Sequence, residues 1–413
     1  MSSTGGASNS GSGLSTNASS DRVEIPGAVL EHLHSPTTPD DVAEFVRQAS
    51  KDETGLLIAG GRTRLHWANP ARNISTGLCL RGLSGIREFE PEEGVIQVWA
   101  GTSIRAIGEI ANAEGWELAL DPPGGTSTIG GTIASAATGP RAHAFGRVAD
   151  VILGLDVVGA DGVRSKCGGR VVKNVTGYDM AKLYCGSFGS LAVICGAWLR
   201  LRPVPVVREA YVVSVEPAAA NFEMIRLKGL GRTVRALIWT ESPGDEGRRT
   251  EAANEARLVV EFAGSPEGVA YDREQFASGL DLEAVPLERV DALADDRLVV
   301  GKDPIAIRVR VLASKCGEMV RMLLDLGFSI SADAGIGVIH ARGRLDQSSA
   351  LLEIRRRARG FGGLVFVERL PEDWRDDVDV FDDSGDGALA ASVLKDRFDP
   401  GRILNPGRFA GRV

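Results

Sequence analysis

The chain has 413 residues, 43% hydrophobic and 25% charged, with a formal net charge of −8. That length allows two or three domains with a full core, and the acidic balance argues against a broad nucleic-acid footprint. The five cysteines (Cys79, Cys167, Cys185, Cys195, Cys316) form no CxxC pair, which argues against an iron–sulfur or zinc site held by this chain alone and against a disulfide framework.

No apolar run reaches the roughly 18 residues that span a bilayer. The first residues lack the basic-then-apolar order of a secretory signal, so the expectation is a cytoplasmic protein. Residues 1–22 are mostly Ser, Gly, Asn and Thr and read as a disordered tail. From Val23 the texture is α/β. Thr38 can cap a helix with Pro39 at its first position and an apolar stripe of Val42, Phe45 and Val46. GLLIAGG (55–61) reads as a buried strand entering a glycine turn, and VIQVWAG (95–101) as a second. The next helix takes Thr102 as cap, Ile104, Ile107 and Ala111 at helical spacing, and Gly115 past its end. DVILGLDVVGADG (150–162) looks like a hairpin limb. SLAVICGAWLRLRP (190–203) is a long strand, stopped by Pro203 and Pro205.

Beyond Pro205, REAYVVSVE, VRALIWT, RLVVEFAG and IAIRVRVLA alternate like half-buried strands. Ile305, Ile307, Val309 and Val311 face one way; Arg308 and Arg310 face the other. Ser314 caps a helix carrying Met319, Val320, Leu323 and Leu324, closed by Gly327. This is the texture of an α+β domain with an antiparallel sheet. Eight acids between 372 and 386 read as a solvated loop. FDPGRILNPGRF (398–409) is turn-rich but too specific for a frayed end. The chain divides into 1–22, 23–205, 206–370 and 371–413.

There is no GxxxxGK[ST] loop, and GLGRTV at Gly229 lacks the third glycine of a dinucleotide turn. Two other segments suit phosphate. GGRTR (60–64) follows a buried strand, so its N–H groups can turn inward on an anion, with Thr63, Arg62 and Arg64 adding donors. GTSTIGGTIASAATG (125–139) supplies small donors without bulk. A plain turn and a tightly packed loop are the alternatives.

GLLIAGGRTR, DPPGGTSTIGGTIASAATGPRAHAFGRVADVILGLDVVGADG, KNVTGYDMAKLYCGSFGSLAVI and FDPGRILNPGRF occur in this order. Together they resemble the PCMH-type (vanillyl-alcohol oxidase-like) FAD-binding family, and within it the FAD-binding subunits of glycolate oxidases. The resemblance covers Val29 to Pro205 and resumes at Phe398 to Phe409. It implies an α+β fold: a two-part FAD-binding domain plus a smaller α+β cap domain. It places Gly60, Gly61, Arg62, Thr63 and Arg64 against the FAD diphosphate. Pro123, Gly124, Thr128, Ile129, Gly130, Gly131, Ser135 and Gly139 would line the same side and the ribityl chain. Gly146 would make a turn, Ile194 would meet the adenine through its backbone, and Asn405 would return toward the flavin ring. Covalent attachment in this family commonly uses a histidine in the first glycine loop. Here His66 lies downstream of that place, and the reading is non-covalent FAD.

Oxidising a 2-hydroxy acid needs a base for the hydroxyl proton and a cation for the carboxylate. His32 and His34 resemble a metal motif by spacing alone, and no metal site is expected. The cap segment SISADAGIGVIHAR (329–342) keeps His340 but not the paired histidines of the family's metal motif. His340 could be the base or a core histidine. Arg141 could clamp the carboxylate or make loop contacts, and His143 could sit near the flavin. RRRAR (355–359) reads as a solvated helix face able to dock an acidic partner. The resemblance implies an FAD-carrying subunit of a glycolate oxidase or dehydrogenase complex. A larger homologous flavin subunit and an iron–sulfur subunit would be its partners, and any membrane contact would run through them. A self-sufficient FAD oxidoreductase of another alcohol or 2-hydroxy acid, or a flavin-free assembly subunit, are the alternatives.

Overall fold

A computed structural model describes residues 18–19, 22–170, 179–216, 220, 232–241, 256–295, 298, 303–382 and 386–413. KNVTGY (173–178) lies outside the described residues. Among the described residues up to 205, a hairpin of Val23–Ile25 and Ala28–Leu30 accompanies two larger sheets. One is four-stranded, in the order Ala18–Ser19, Leu33–His34, Ile74–Cys79, Gly55–Ala59. Ala18–Ser19 thus pairs with Leu33–His34 inside the stretch read as a tail. The other sheet is antiparallel, in the order Arg164–Gly168, Ile152–Val158, Val193–Pro203, Val95–Trp99, Ile86–Glu90, with Trp116–Leu118 added beside Val193–Pro203.

The helix Pro39–Lys51 forms as its sequence requires. Thr38 Oγ1 accepts from the Asp41 N–H at 3.1 Å, and the Asp41 carboxylate accepts from the Thr38 N–H at 3.1 Å. Two end donors are satisfied reciprocally, and Val42 and Val46 are buried. The next helix, Ile104–Ala113, corrects its expected cap. Ser103, not Thr102, accepts from the Ala106 N–H. The Thr102 hydroxyl is spent on Trp99 O at 2.7 Å and the Gly85 N–H at 2.9 Å, tying the strand end to the loop before it.

The cap is an eight-stranded antiparallel sheet in the order Glu283–Val285, Val207–Val215, Ala256–Gly264, Val234–Glu241, Ser329–Asp333, Val338–Gly343, Ile305–Arg310, Leu364–Arg369. Alternation divides its far half cleanly. Ile305, Ile307, Val309, Ile339, Ala341, Val365 and Val367 join Met319, Val320, Leu351 and Ile354 in one apolar core. The register opposes Arg308 to His340 and Phe366, and His340 to Ser331, so these four share the other face. Ser314 does not cap the helix Cys316–Asp325. A 3-10 turn over Ala313–Lys315 extends the winding back past it, and no side chain caps the helix.

Two charge clusters also differ from expectation. Arg355, in RRRAR, is buried and donates to the carbonyls of Asp379 and Phe381; only its neighbours Arg356, Arg357 and Arg359 are exposed. The acidic stretch is not wholly solvated either. Asp379 accepts from Asn69 Nδ2 at 2.7 Å and from the N–H groups of Phe381 and Gly411. Asp382 has a buried carboxylate paired with Arg359. These acids fasten the C-terminal segment, because unpaired backbone donors there need acceptors. The segment then returns to the first sheet: Leu404 bridges Leu56 in parallel. Lys395, fully buried, pairs with Asp399 at 2.7 Å and donates to Ser190 O and Leu404 O.

Candidate cofactor and active site

The loop after Gly55–Ala59 and the loop before the helix Ile129–Ser135 lie against each other. A Cβ on Gly60 would meet Thr128 Oγ1 at 2.4 Å, and one on Gly61 would meet Thr126 O at 2.1 Å. The first glycine pair is therefore required by loop-on-loop contact. Thr128 caps the helix through the Gly131 N–H at 3.3 Å, and a Cβ on Gly130 would touch that of Ala100 at 2.8 Å. The N–H groups of Ile129 and Gly130 are taken by Thr102 O and Ala100 O. Ile129 itself is core. In the first loop, the N–H groups of Gly61 and Thr63 make no hydrogen bond among the described residues and are free to meet an anion.

Arg64 does not reach for phosphate. It is buried, with its guanidinium on Pro123 O (2.6 Å), Ser127 Oγ (2.8 Å), Ser135 Oγ (3.1 Å) and Thr132 Oγ1 (3.3 Å). It staples the second loop to the first. Gly124, at φ +95°, gives its N–H to Asp295 of the cap at 2.7 Å. Asn405, also left-handed at φ +45°, accepts from the Ile58 N–H at 2.8 Å and donates to Phe188 O at 2.7 Å. It clips the C-terminal segment under the cradle. Gly60, Gly61, Arg62, Thr63, Arg64, Thr128, Gly131, Ser135, Asn405 and Arg408 line a small concavity together. Pro123, Gly124, Ile129, Gly130 and Ile194 line neither this space nor the larger one. Ile194 sits in the six-stranded sheet, opposite Val157.

The larger space is a cavity of about 820 Å³, within the roughly 300–1,000 Å³ usual for small-molecule sites. It meets the cradle at Ser135 and Phe188, which line both. Its walls are Gly139 and Gly146 on one side, the cap face of Arg308, His340, Ser331 and Phe366 on the other, and Ala388, Ala391 and Phe409 from the C-terminal segment. Gly146, at φ +77°, turns the chain there. Gly139 is held by Asp121, which accepts its N–H at 3.0 Å. The Arg308 guanidinium lies 4.8 Å from the Phe366 ring centre and 5.6 Å from that of Trp67. The buried Glu368 carboxylate is 3.7 Å from both Arg308 Nε and His340 Nδ1.

Arg141 is not in this cavity. Its buried side chain contacts Glu261 (2.7 Å), Asp291 (2.6 Å) and Asp121 (3.9 Å). Arg208 and Arg235 bring further charge to the fully buried Glu261. A guanidinium committed to three carboxylates is not available to a substrate, so of the two readings left open for Arg141 the clamp gives way, here to an ionic seam between the first domain and the cap. His143 crosses the same boundary, with Nδ1 at 3.0 Å and 3.2 Å from the Asp333 carboxylate oxygens. His66 lines neither cavity. Burial, then Arg369 and Arg375, push its pKa down to about 4, and its Nε2 is buried without a partner. His34 stacks on Phe45, and among the described residues no three metal-ligating side chains group together.

Sequence reasoning missed Arg308 and Arg408. The alternation of IAIRVRV did place Arg308 off the core face; nothing local says that this face is roofed by another domain. Arg408 is 3% exposed, and burial, then Arg375, push its pKa down to about 10. The cradle with unspent main-chain donors, beside a mostly apolar cavity, fits an anionic diphosphate with a flat ring system beyond it.

A family model described as "FAD binding domain" matches residues 30–168. The glycolate oxidase subunit GlcE of Escherichia coli (strain K12) is 32% identical over 230 residues, 54% of this chain and 65% of that one. The D-2-hydroxyglutarate dehydrogenase of Xanthomonas citri pv. viticola is 32% identical over 318 residues, 70% of this chain and 67% of that one. A solved alkyldihydroxyacetonephosphate synthase shares the fold, with a TM-score of 0.64 at 16% identity, over 92% of this chain and 76% of that one. The fold is that of a PCMH-type FAD-binding protein. The chain belongs to the FAD-linked oxidoreductases of the 2-hydroxy-acid dehydrogenase family.

Proposed function

We propose that this chain is the FAD-carrying subunit of a complex that oxidises glycolate to glyoxylate and passes the electrons to partner subunits. The observation that carries the reading is the adjacent pair of spaces: a main-chain anion cradle that shares Ser135 and Phe188 with a cavity whose far wall carries Arg308 and His340. FAD would be held without a covalent bond, since His66 lines neither space. The cradle would hold its diphosphate through Gly61 and Thr63, with Gly131 and Ser135 along the chain beyond. When bound, the flavin supplies the acceptor for the α-hydrogen and its electron pair.

The protein's own work is binding and proton handling. Arg308 would hold the substrate carboxylate by a charge-assisted pair. His340, beside Arg308 and Ser331 on the same face, would accept the hydroxyl proton. Glu368 would keep both side chains in place. The likeness to a subunit named GlcE supports a multi-subunit setting. The partners are a larger homologous flavin subunit and an iron–sulfur subunit, acting in the cytoplasm or at the inner membrane face. Among the described residues no helix is long and apolar enough to cross a membrane.

Arg308 and His340 also favour a second reading, a self-sufficient oxidoreductase of another 2-hydroxy acid. Turnover of glycolate with a dye acceptor separates the two. The subunit reading expects slow turnover by the purified chain and fast turnover once partners are added. Fast turnover by the chain alone would sink it.

A further inference from the structure

We propose that Arg408, in the terminal LNPGRF segment, is the cation that faces the cofactor diphosphate in the first-loop cradle. Arg408 lines that cradle with Gly61 and Thr63. Its side chain is 3% exposed. Nη2 donates to Leu65 O, whereas Nη1 is buried without a partner. Among the described residues no carboxylate lies within ion-pair distance of it. A guanidinium buried without a counter-charge is costly unless an anion completes it.

The neighbouring cations are placed otherwise. Arg64 is held by four acceptors of the second loop. Arg62 turns Nη2 toward Cys79 Sγ at 3.8 Å. Arg375, the charge that acts on Arg408, is itself cationic and has a buried Nη1 without a partner. One unpartnered guanidinium nitrogen, Arg408 Nη1, and two main-chain N–H groups around one concavity are the chemistry of a phosphate oxygen site. The C-terminal segment, already clipped by Asn405, then supplies charge as well as structure.

The inference rests on the chain holding FAD and is independent of the glycolate reading, because the test reads affinity and no turnover. Apoprotein is titrated with FAD, riboflavin and ADP, following flavin fluorescence and, for ADP, competition against FAD. Arg408→Gln keeps a donor for Leu65 O while removing the charge. It is expected to weaken FAD and ADP by about 10- to 100-fold and to leave riboflavin, which has no phosphate, unchanged. Equal losses for FAD and riboflavin, or no loss for FAD, would overturn the assignment. Should Arg408→Gln not fold, Arg408→Lys gives the decision. Lysine lacks the fork that serves Leu65 O and an anion at once. A lowered ratio of FAD to riboflavin affinity supports the proposal; an unchanged ratio refutes it.

Discussion

Arg64 and His66 lie two residues apart and illustrate how position decides what a polar group does. Arg64→Met would leave the Pro123 carbonyl and the Ser127 and Ser135 hydroxyls without their shared donor. We expect a loss of about 2–3 kcal/mol in urea unfolding, together with reduced FAD content, because the second loop is no longer stapled to the first. His66 acts through the proton. Its folded pKa of about 4 lies below the unfolded value of 6.5. Between those values the unfolded chain binds the proton and the folded chain does not, so stability falls as pH falls from 6.5 to 4. The full linkage is about 3 kcal/mol. His66→Phe should flatten that slope in unfolding curves taken from pH 7 to 4; an identical slope in both proteins contradicts the account. Neither role was legible in GGRTRLHW. The glycines announced a tight loop, but which arginine would be buried against the second loop depends on a contact 71 residues away.

Elements carry the next level. The strand Ile305–Arg310 was readable from alternation alone, down to which side each residue faces. What its polar face meets was not, since that is set by a domain elsewhere in the chain. Arg308→Met and His340→Gln should each retain FAD and lower turnover of the preferred 2-hydroxy acid by about 100-fold. The check is steady-state kinetics of the native complex on samples with matched flavin content. Unchanged turnover in both variants would remove this face from the site. The C-terminal segment was legible as ordered but not as anchored. Its anchor, Lys395, lies outside the motif, and burial depresses its pKa despite Asp399. Lys395→Met leaves Asp399 charged and buried, and should cost about 3–5 kcal/mol in urea unfolding. A loss under 1 kcal/mol would show the pair to be dispensable.

At the scale of the molecule, the glycine loops, the cap sheet and the returning terminus frame one region, in which the cradle and the larger cavity share Ser135 and Phe188 as walls. The cap meets the first domain through the Arg141–Glu261 seam and through His143–Asp333. Sequence reading left Arg141 open between a carboxylate clamp and loop contacts, because an arginine beside a glycine loop looks the same whether it meets a substrate or a buried glutamate. Asp121, Glu261 and Asp291 decide between them, and they are scattered along the chain. The FAD-binding fold itself was legible, because both glycine loops and the terminal turn are local in sequence. The central claim is that this region holds FAD without a covalent bond, and acid denaturation of the purified native protein tests it most directly. The account predicts FAD in the soluble fraction, equimolar with the chain. Flavin that stays with the precipitated protein, or no flavin even after incubation with FAD, would contradict it.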